Sequence, residues 1–181
     1  MIRAFVALPL PAAIRRGLEI AQVGLPVGRP VAPENFHVTL AFLGEHPAPV
    51  LEDVHLGLSR IRAPRFNLRI EGLGVFGGER PRFLHARIAP EKALDHLRDK
   101  VLRCAREVGI EIGYERYLPH VTLARFNKGL KGSSAAELRA FTERRLSIGS
   151  DPFEVGAFVL FRSNLGKNGP SYEELAVYPL G

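Results

Sequence analysis

The same five residues, His-Val-Thr-Leu-Ala, stand at 37–41 and again at 120–124. The two copies lie 83 positions apart (120 − 37), and chance does not give a run of that length in so short a chain. Side chains two apart on a strand share a face and stand roughly 6.5–7 Å apart. His37 and Thr39 therefore look one way while Val38 and Leu40 look the other, toward a core, and His120 and Thr122 repeat this against Val121 and Leu123. Two imidazoles facing one another across a cleft can run an in-line displacement at phosphorus. A neutral ring takes the proton of the attacking oxygen, and a protonated ring gives one to the leaving oxygen. An unperturbed pKa of about 6.5 lets both forms exist near neutrality. The threonine hydroxyls would donate to the non-bridging phosphate oxygens, where charge accumulates. No metal is expected, because the repeated motif carries neither cysteine nor carboxylate beside its histidine. Identical motifs do not tell which ring is acid and which is base.

Arg125 follows the second motif where Phe42 follows the first. In a regular strand Arg125 falls on the face of Val121 and Leu123, away from the cleft. A bulge or a strand end would turn it toward phosphate, so Arg125 is a candidate phosphate ligand. Phe36, Phe42, Tyr114, Tyr117 and Tyr172 are the aromatic residues available to stack on a base, and core or rim positions suit most of them equally well. His46, His55 and His96 read as turn or helix-surface residues, and His85 takes the same structural reading in the Arg82–Ile88 strand, with approach to the cleft as the lesser alternative. Cys104 reads as a small apolar residue on a helix face. The Lys128–Lys131 loop reads equally as charge that steers an anionic strand and as an ordinary solvated loop.

The elements that must position these residues follow from hydrophobic periodicity. Strands are predicted over Ile2–Leu8, Asn35–Phe42, Phe66–Leu73, Arg82–Ile88, Tyr117–Arg125, Phe153–Phe161 and Tyr172–Tyr178. Helices are predicted from Pro11 to about Ala21, Pro47 to Arg62, Pro90 to Val108 and Ser134 to Leu146, with Ser133 or Ser134 as N-cap. Gly24–Pro33 and Asn164–Pro170 read as loops. The order of elements runs through twice, so we read one domain over 1–181 in two lobes, with pseudo-repeats roughly 1–81 and 82–181.

With 181 residues, 46% of them hydrophobic and 24% charged, the chain is long enough for one real core and is not of disordered composition. No apolar run approaches the ~20 residues that span a bilayer, and the opening MIRAFVALPLP makes a poor signal peptide. One cysteine excludes an internal disulfide. These features point to a cytoplasmic protein, taken as a monomer. A net charge of +6 and a pI near 9.9 fit an anionic partner and fit mere solubility as well. Scarce Met, Cys and Gln beside 14 prolines match either a thermophile or GC-rich coding.

The paired His37-Val38-Thr39-Leu40 and His120-Val121-Thr122-Leu123 resemble the H-x-T-x motifs of the 2H phosphoesterase superfamily. The opening Ile2–Leu8, the extended HVTLAR of the second motif and the ending Gly169–Leu180 are similar to its RNA 2′,3′-cyclic phosphodiesterase branch, also called 2′-5′ RNA ligase. The resemblance covers essentially the whole chain. It implies an α+β fold, bilobal and pseudo-twofold, with two antiparallel sheets lining a central cleft and helices outside. It further implies cofactor-independent, metal-independent opening of RNA 2′,3′-cyclic phosphate ends to 2′-phosphomonoesters, with His37 as proton donor and His120 as proton acceptor. RNA ligation or another cyclic nucleotide at the same site, or an RNA-binding module without catalysis, are the alternatives.

Overall fold

Fifteen short elements are found among the described residues. In chain order they are β1 (Ile2–Pro9), α1 (Ala12–Gln22), β2 (Arg29–Pro30), a 3-10 turn (Pro33–Asn35), β3 (His37–His46), α2 (Ala48–Ser59), β4 (Phe66–Leu68), β5 (Ile70–Phe76), β6 (Phe83–Ile88), α3 (Lys92–Glu107), β7 (His120–Arg125), α4 (Gly132–Glu143), β8 (Phe153–Val155), β9 (Ala157–Gly166) and β10 (Gly169–Pro179). The computed structural model describes residues 1–113, 116–126, 129–145, 147–166 and 169–181. The fold is α+β with antiparallel sheets, as the resemblance implies. One four-stranded sheet has the order β10-β9-β1-β3, the other β2-β7-β6-β5, and β4 pairs with β8 in a small ladder.

The sheets do not divide the chain at position 81. β9 and β10, from the C-terminal half, complete the sheet of β1 and β3, while β2 and β5, from the N-terminal half, complete the sheet of β6 and β7. Helices cross in the same way. Gln22 of α1 bonds the Leu123 carbonyl of β7, and Arg98 of α3 bonds the Leu40 carbonyl of β3. Hydrophobic periodicity shows which face of an element is buried but not which sheet it is buried against, so the boundary at 81 describes the sequence repeat and not the sheets. A single buried cluster extends from Ala4 to Leu180 and draws on both halves.

Local differences from the predicted elements have identifiable causes. α3 begins after Pro90 because the Glu91 carboxylate accepts the Ala93 N–H at 3.0 Å, a side-chain cap. Ser133 and Ser134 lie inside the first turn of α4 and do not cap it, and Leu146, the expected end of that helix, lies outside the described residues. Most of the predicted Asn164–Pro170 loop is strand, with Asn164, Leu165 and Gly166 paired to Ser171, Pro170 and Gly169. That end of the hairpin lies beyond the edge of β1, so its side chains show no burial pattern to read. β1 is central and buried from Ala4 through Leu8. Its Ala4, Val6 and Leu8 enter the main core, while Phe5 and Ala7 join Val159 and Phe161 in a second cluster on the opposite face. Behind the first sheet α2 and α3 approach closely at Gly57, where any Cβ would overlap the Cys104 sulfur.

Candidate active site

The two motif strands contact one another and show the same alternation. His37 and Thr39 are half-buried while Val38 and Leu40 are buried, and β7 repeats this with His120, Thr122, Val121 and Leu123. Each imidazole is anchored alike. His37 Nδ1 donates to the Asn35 carbonyl at 2.7 Å, and His120 Nδ1 donates to the Leu118 carbonyl at 2.7 Å. A carbonyl oxygen only accepts, so the proton of the neutral ring sits on Nδ1 in both and Nε2 is left to act as base or acid. Asn35 is held in turn by its side chain, which bonds the Pro170 carbonyl at 2.9 Å. Tyr117 ties the approach to β7 onto β3 through a 3.0 Å bond to the Thr39 carbonyl, with the Arg98 guanidinium 4.1 Å above its ring.

A bulge follows each motif threonine. Thr39 pairs with Ala7 and Ala41 with Val6, so β3 uses two steps against one of β1. Thr122 pairs with His85 and Ala124 with Leu84, the same slip at the same place in the repeat. The extra residues, Leu40 and Leu123, stay buried beside Ala41 and Ala124, and the alternation after them is reversed. Phe42 and Arg125 are consequently exposed on the side of the histidines. For Arg125 this is the bulged alternative that the sequence left open. Both bulge carbonyls are satisfied, Leu40 by Arg98 Nε at 3.2 Å and Leu123 by the Val31 N–H and Gln22 Nε2, each at 2.8 Å.

Beyond the shared pentapeptide the two walls differ. His37 sits among Phe5 and Tyr172, with ring centroids 4.9 and 5.2 Å away, and Phe161 backs this cluster. On the side of β7, Arg87 pairs opposite His120 and Arg29 opposite Arg125, all three arginines exposed. Burial lowers the His37 pKa to about 4, against the raising effect of its Asn35 bond, and the charges of Arg125 and His120 lower it further. The His120 pKa is lowered by burial and then by Arg125, against the Leu118 bond. Arg125 thus acts electrostatically on both rings, which places its charge at the site. In the free protein both imidazoles are neutral at pH 7.

The other sequence candidates separate clearly. Phe36 is buried in the core and is no stacking surface, whereas Phe42 is 67% exposed and Tyr172 lies edge-on to His37. Tyr117 is a scaffold residue, and Tyr114 and Lys128 lie outside the described residues. His46 bonds the Leu43 carbonyl, His55 bonds the Tyr178 hydroxyl, and His96 is exposed on α3. Cys104 is buried with its pKa raised by burial, the opposite of an activated nucleophile. Phe5, Phe76 and Phe161 around the imidazoles were not singled out from sequence, because in a strand pattern they are indistinguishable from core. Gln22 and Arg98 escaped for a different reason, since their partners are carbonyls freed only by the bulges. No cluster of three or more His, Cys, Asp or Glu side chains suited to a metal occurs among the described residues, and no helix among them is long and apolar enough to cross a membrane.

Comparison with known proteins adds to this geometry. Residues 14–167 match the 2′-5′ RNA ligase superfamily. A protein of Aeropyrum pernix named RNA 2′,3′-cyclic phosphodiesterase is 35% identical over 86% of this chain and 88% of its own length. A protein of Geobacillus stearothermophilus with the same name is 35% identical over 97% of this chain, which spans 56% of that relative. Escherichia coli LigT, in a crystal structure complexed with 3′-AMP, superposes with a TM-score of 0.80 at 26% identity, covering 99% of this chain and 98% of LigT.

Proposed function

The chain belongs to the 2′-5′ RNA ligase superfamily, and on that premise we propose that it is a phosphodiesterase that opens 2′,3′-cyclic phosphate ends of RNA to 2′-phosphomonoesters. The observation that carries the proposal is the matched pair of imidazoles, each anchored at Nδ1 with Nε2 left for proton transfer, and close enough that charge on His120 lowers the His37 pKa. His120 Nε2 takes a proton from water as the water oxygen attacks phosphorus. The bond from phosphorus to O3′ breaks in line, and His37 Nε2 delivers its proton to O3′. Thr39 and Thr122 donate to the non-bridging oxygens, and Arg125 supplies fixed positive charge there. Both proton transfers are covered by imidazole, so the scheme calls for no metal. With an oligonucleotide 5′-hydroxyl in place of water, the same bond breaks and a 2′-5′ linkage forms.

The unequal walls support the direction of the reaction. O3′ leaves on the nucleoside side, and the exposed Phe42 with the edge of Tyr172 offers a stacking surface on the His37 wall. The arginines lie on the His120 wall, where a polyanion would be met. His37 has the more depressed pKa in the free protein, about 4, so its proton must arrive with the substrate. The shift from 6.5 to about 4 corresponds to roughly 3 kcal/mol. A phosphate monoanion at about 4 Å contributes on the order of 4 kcal/mol at an effective dielectric of 20, enough to restore the protonated ring.

The pKa order of the two rings in the free protein favours a second reading in which His120 is the donor and His37 the acceptor. The two separate on bis(p-nitrophenyl) phosphate, whose leaving group needs no proton. His37→Ala should keep turnover on that ester while losing it on an RNA 2′,3′-cyclic phosphate, and His120→Ala should lose both. The reverse pattern would exchange the roles. The function itself is tested with a short RNA ending in a 2′,3′-cyclic phosphate, assayed in EDTA with 2′- and 3′-phosphate products resolved. Absence of turnover by the wild-type chain, or a 3′-phosphate product, would overturn the proposal.

A further inference from the structure

His85 is buried, 5% exposed, and its Nδ1 is the one buried side-chain nitrogen or oxygen among the described residues with no hydrogen-bond partner. Its place is beside the second motif. It pairs directly opposite Thr122, and its ring centroid is 5.3 Å from that of His120 at an interplanar angle of 67°. Phe76 of β5 stacks on it at 3.9 Å and 16°, and the same Phe76 meets His120 edge-on at 4.9 Å and 81°. Under the ring lies Gly74. A Cβ on Gly74 would come within 2.6 Å of His85 Nε2 and 2.8 Å of Cε1, so only glycine lets the imidazole rest there.

The bond from His120 Nδ1 to the Leu118 carbonyl fixes one atom of the ring and leaves rotation about that contact open. Two rings set across the His120 edge close that rotation. We propose that His85 is a positioning residue for His120, wedged between Phe76 and the Gly74 backbone so that the Nε2 of His120 keeps its direction into the cleft. The inference rests on the reading of His120 as a participant in proton transfer. It is not inherited from the repeat, because the counterpart of His85 opposite Thr39 is Ala7, and His37 is flanked by Phe5 and Tyr172 instead. His85 acts here as a ring and not as a proton carrier. Burial, then the charges of His120 on β7 and Arg87 on its own strand, hold its pKa down to about 3, and from β5 it is met by Gly74 and Phe76.

The test compares His85→Ala, His85→Phe and Gly74→Ala in the full chain. Kinetics on an RNA dinucleotide 2′,3′-cyclic phosphate are read beside the ring 15N shifts of His120 in the free protein. Loss of orientation without loss of binding should lower kcat on the order of 10- to 100-fold in His85→Ala and Gly74→Ala, with KM within about twofold. In both, the His120 signals should move from a single Nδ1-protonated form to a mixture of tautomers. His85→Phe should stay within about threefold of wild type in kcat and keep the wild-type His120 shifts. An alanine variant with wild-type kcat and wild-type His120 shifts would overturn the proposal, as would a phenylalanine variant as impaired as the alanine one. Gly74→Ala decides the matter should His85→Ala not fold. If the wild-type chain leaves cyclic phosphate untouched, the proposed function fails, while the His120 shifts still judge the positioning.

Discussion

Raising the pH from 6.5 to 8.5 is expected to cut kcat/KM about 50- to 100-fold. In the proposed mechanism the productive state holds one proton on the pair of imidazoles, and kcat/KM reports how the free enzyme populates that state. The pair titrates as a unit. Its first proton enters with a pKa below 6.5, because burial and Arg125 lower His120, and its second enters near 4, where burial holds His37. At pH 6.5 at most about half of the free enzyme carries the single proton, and at pH 8.5 at most about 1% does, which sets the ratio. The acid limb should be centred near 4. A phosphodiester keeps its single negative charge throughout, so the substrate adds no limb of its own. Initial rates well below KM, on a dinucleotide 2′,3′-cyclic phosphate at constant ionic strength from pH 4 to 9, read this directly. The kcat profile should lie to the alkaline side of the kcat/KM profile, because bound phosphate raises both imidazoles. An alkaline limb of kcat/KM centred at about 7.5 or above, or a flat profile between pH 5 and 8, would refute the reasoning from burial.

Replacing His37 or His120 by Ala should lower turnover on the cyclic phosphate by about 10²–10⁴, and near-wild-type rates in either variant would remove that residue from the mechanism. Thr39→Val and Thr122→Val should each cost on the order of 10²-fold in kcat if their hydroxyls meet the phosphoryl oxygens, and unchanged kinetics would leave them as strand formers. Arg125→Gln should raise KM about tenfold or more and flatten the log–log salt dependence of RNA binding by about 0.7, and an unchanged slope would take Arg125 off the phosphate. His85 is buried neutral with a folded pKa of about 3, so below pH 6.5 the unfolded chain binds a proton that the native one does not. Its contribution is therefore complete above pH 6.5 and is lost as pH falls toward 3. By pH 5 the loss is roughly 2 kcal/mol, and urea titrations should show it in wild type and not in His85→Phe. Gly57→Ala would push a methyl into Cys104 and should cost about 1–3 kcal/mol of stability with kcat unchanged, and an unaltered denaturation midpoint would mean that α2 and α3 separate freely.

Most of what the sequence announced about the site came from one repeated pentapeptide. The period of two in His37-Val38-Thr39-Leu40 was enough to place an imidazole and a hydroxyl on one face and aliphatic side chains on the other, and the burial of both strands follows that pattern residue by residue. The same rule failed one residue past the motif. Regular alternation turns Arg125 away from the cleft, and it faces the histidines only because the register slips at Leu123. No residue type signals that slip. It is stabilised by partners remote in sequence, with Gln22 and Val31 bonding Leu123, and Arg98 bonding its counterpart Leu40. The rings that seat the histidines were equally silent, since Phe5, Phe76 and Phe161 occupy positions that any core strand would fill the same way.

The sequence by itself determined the chemistry that is available. Residue types and spacing are local, and two imidazoles, two hydroxyls and their apolar backing are legible wherever the strands end up. It also determined the element types, because burial of one face imposes a period that survives any arrangement of neighbours. The tertiary structure alone decided which element covers which. A buried stripe on α1 or α3 is satisfied by either sheet, and the exchange of strands and helices between the halves is a choice among packings of similar periodicity. It decided as well which histidines act together. His85 and His120 lie 35 positions apart in the chain (120 − 85), and their rings touch only because β6 pairs with β7 over a glycine on β5.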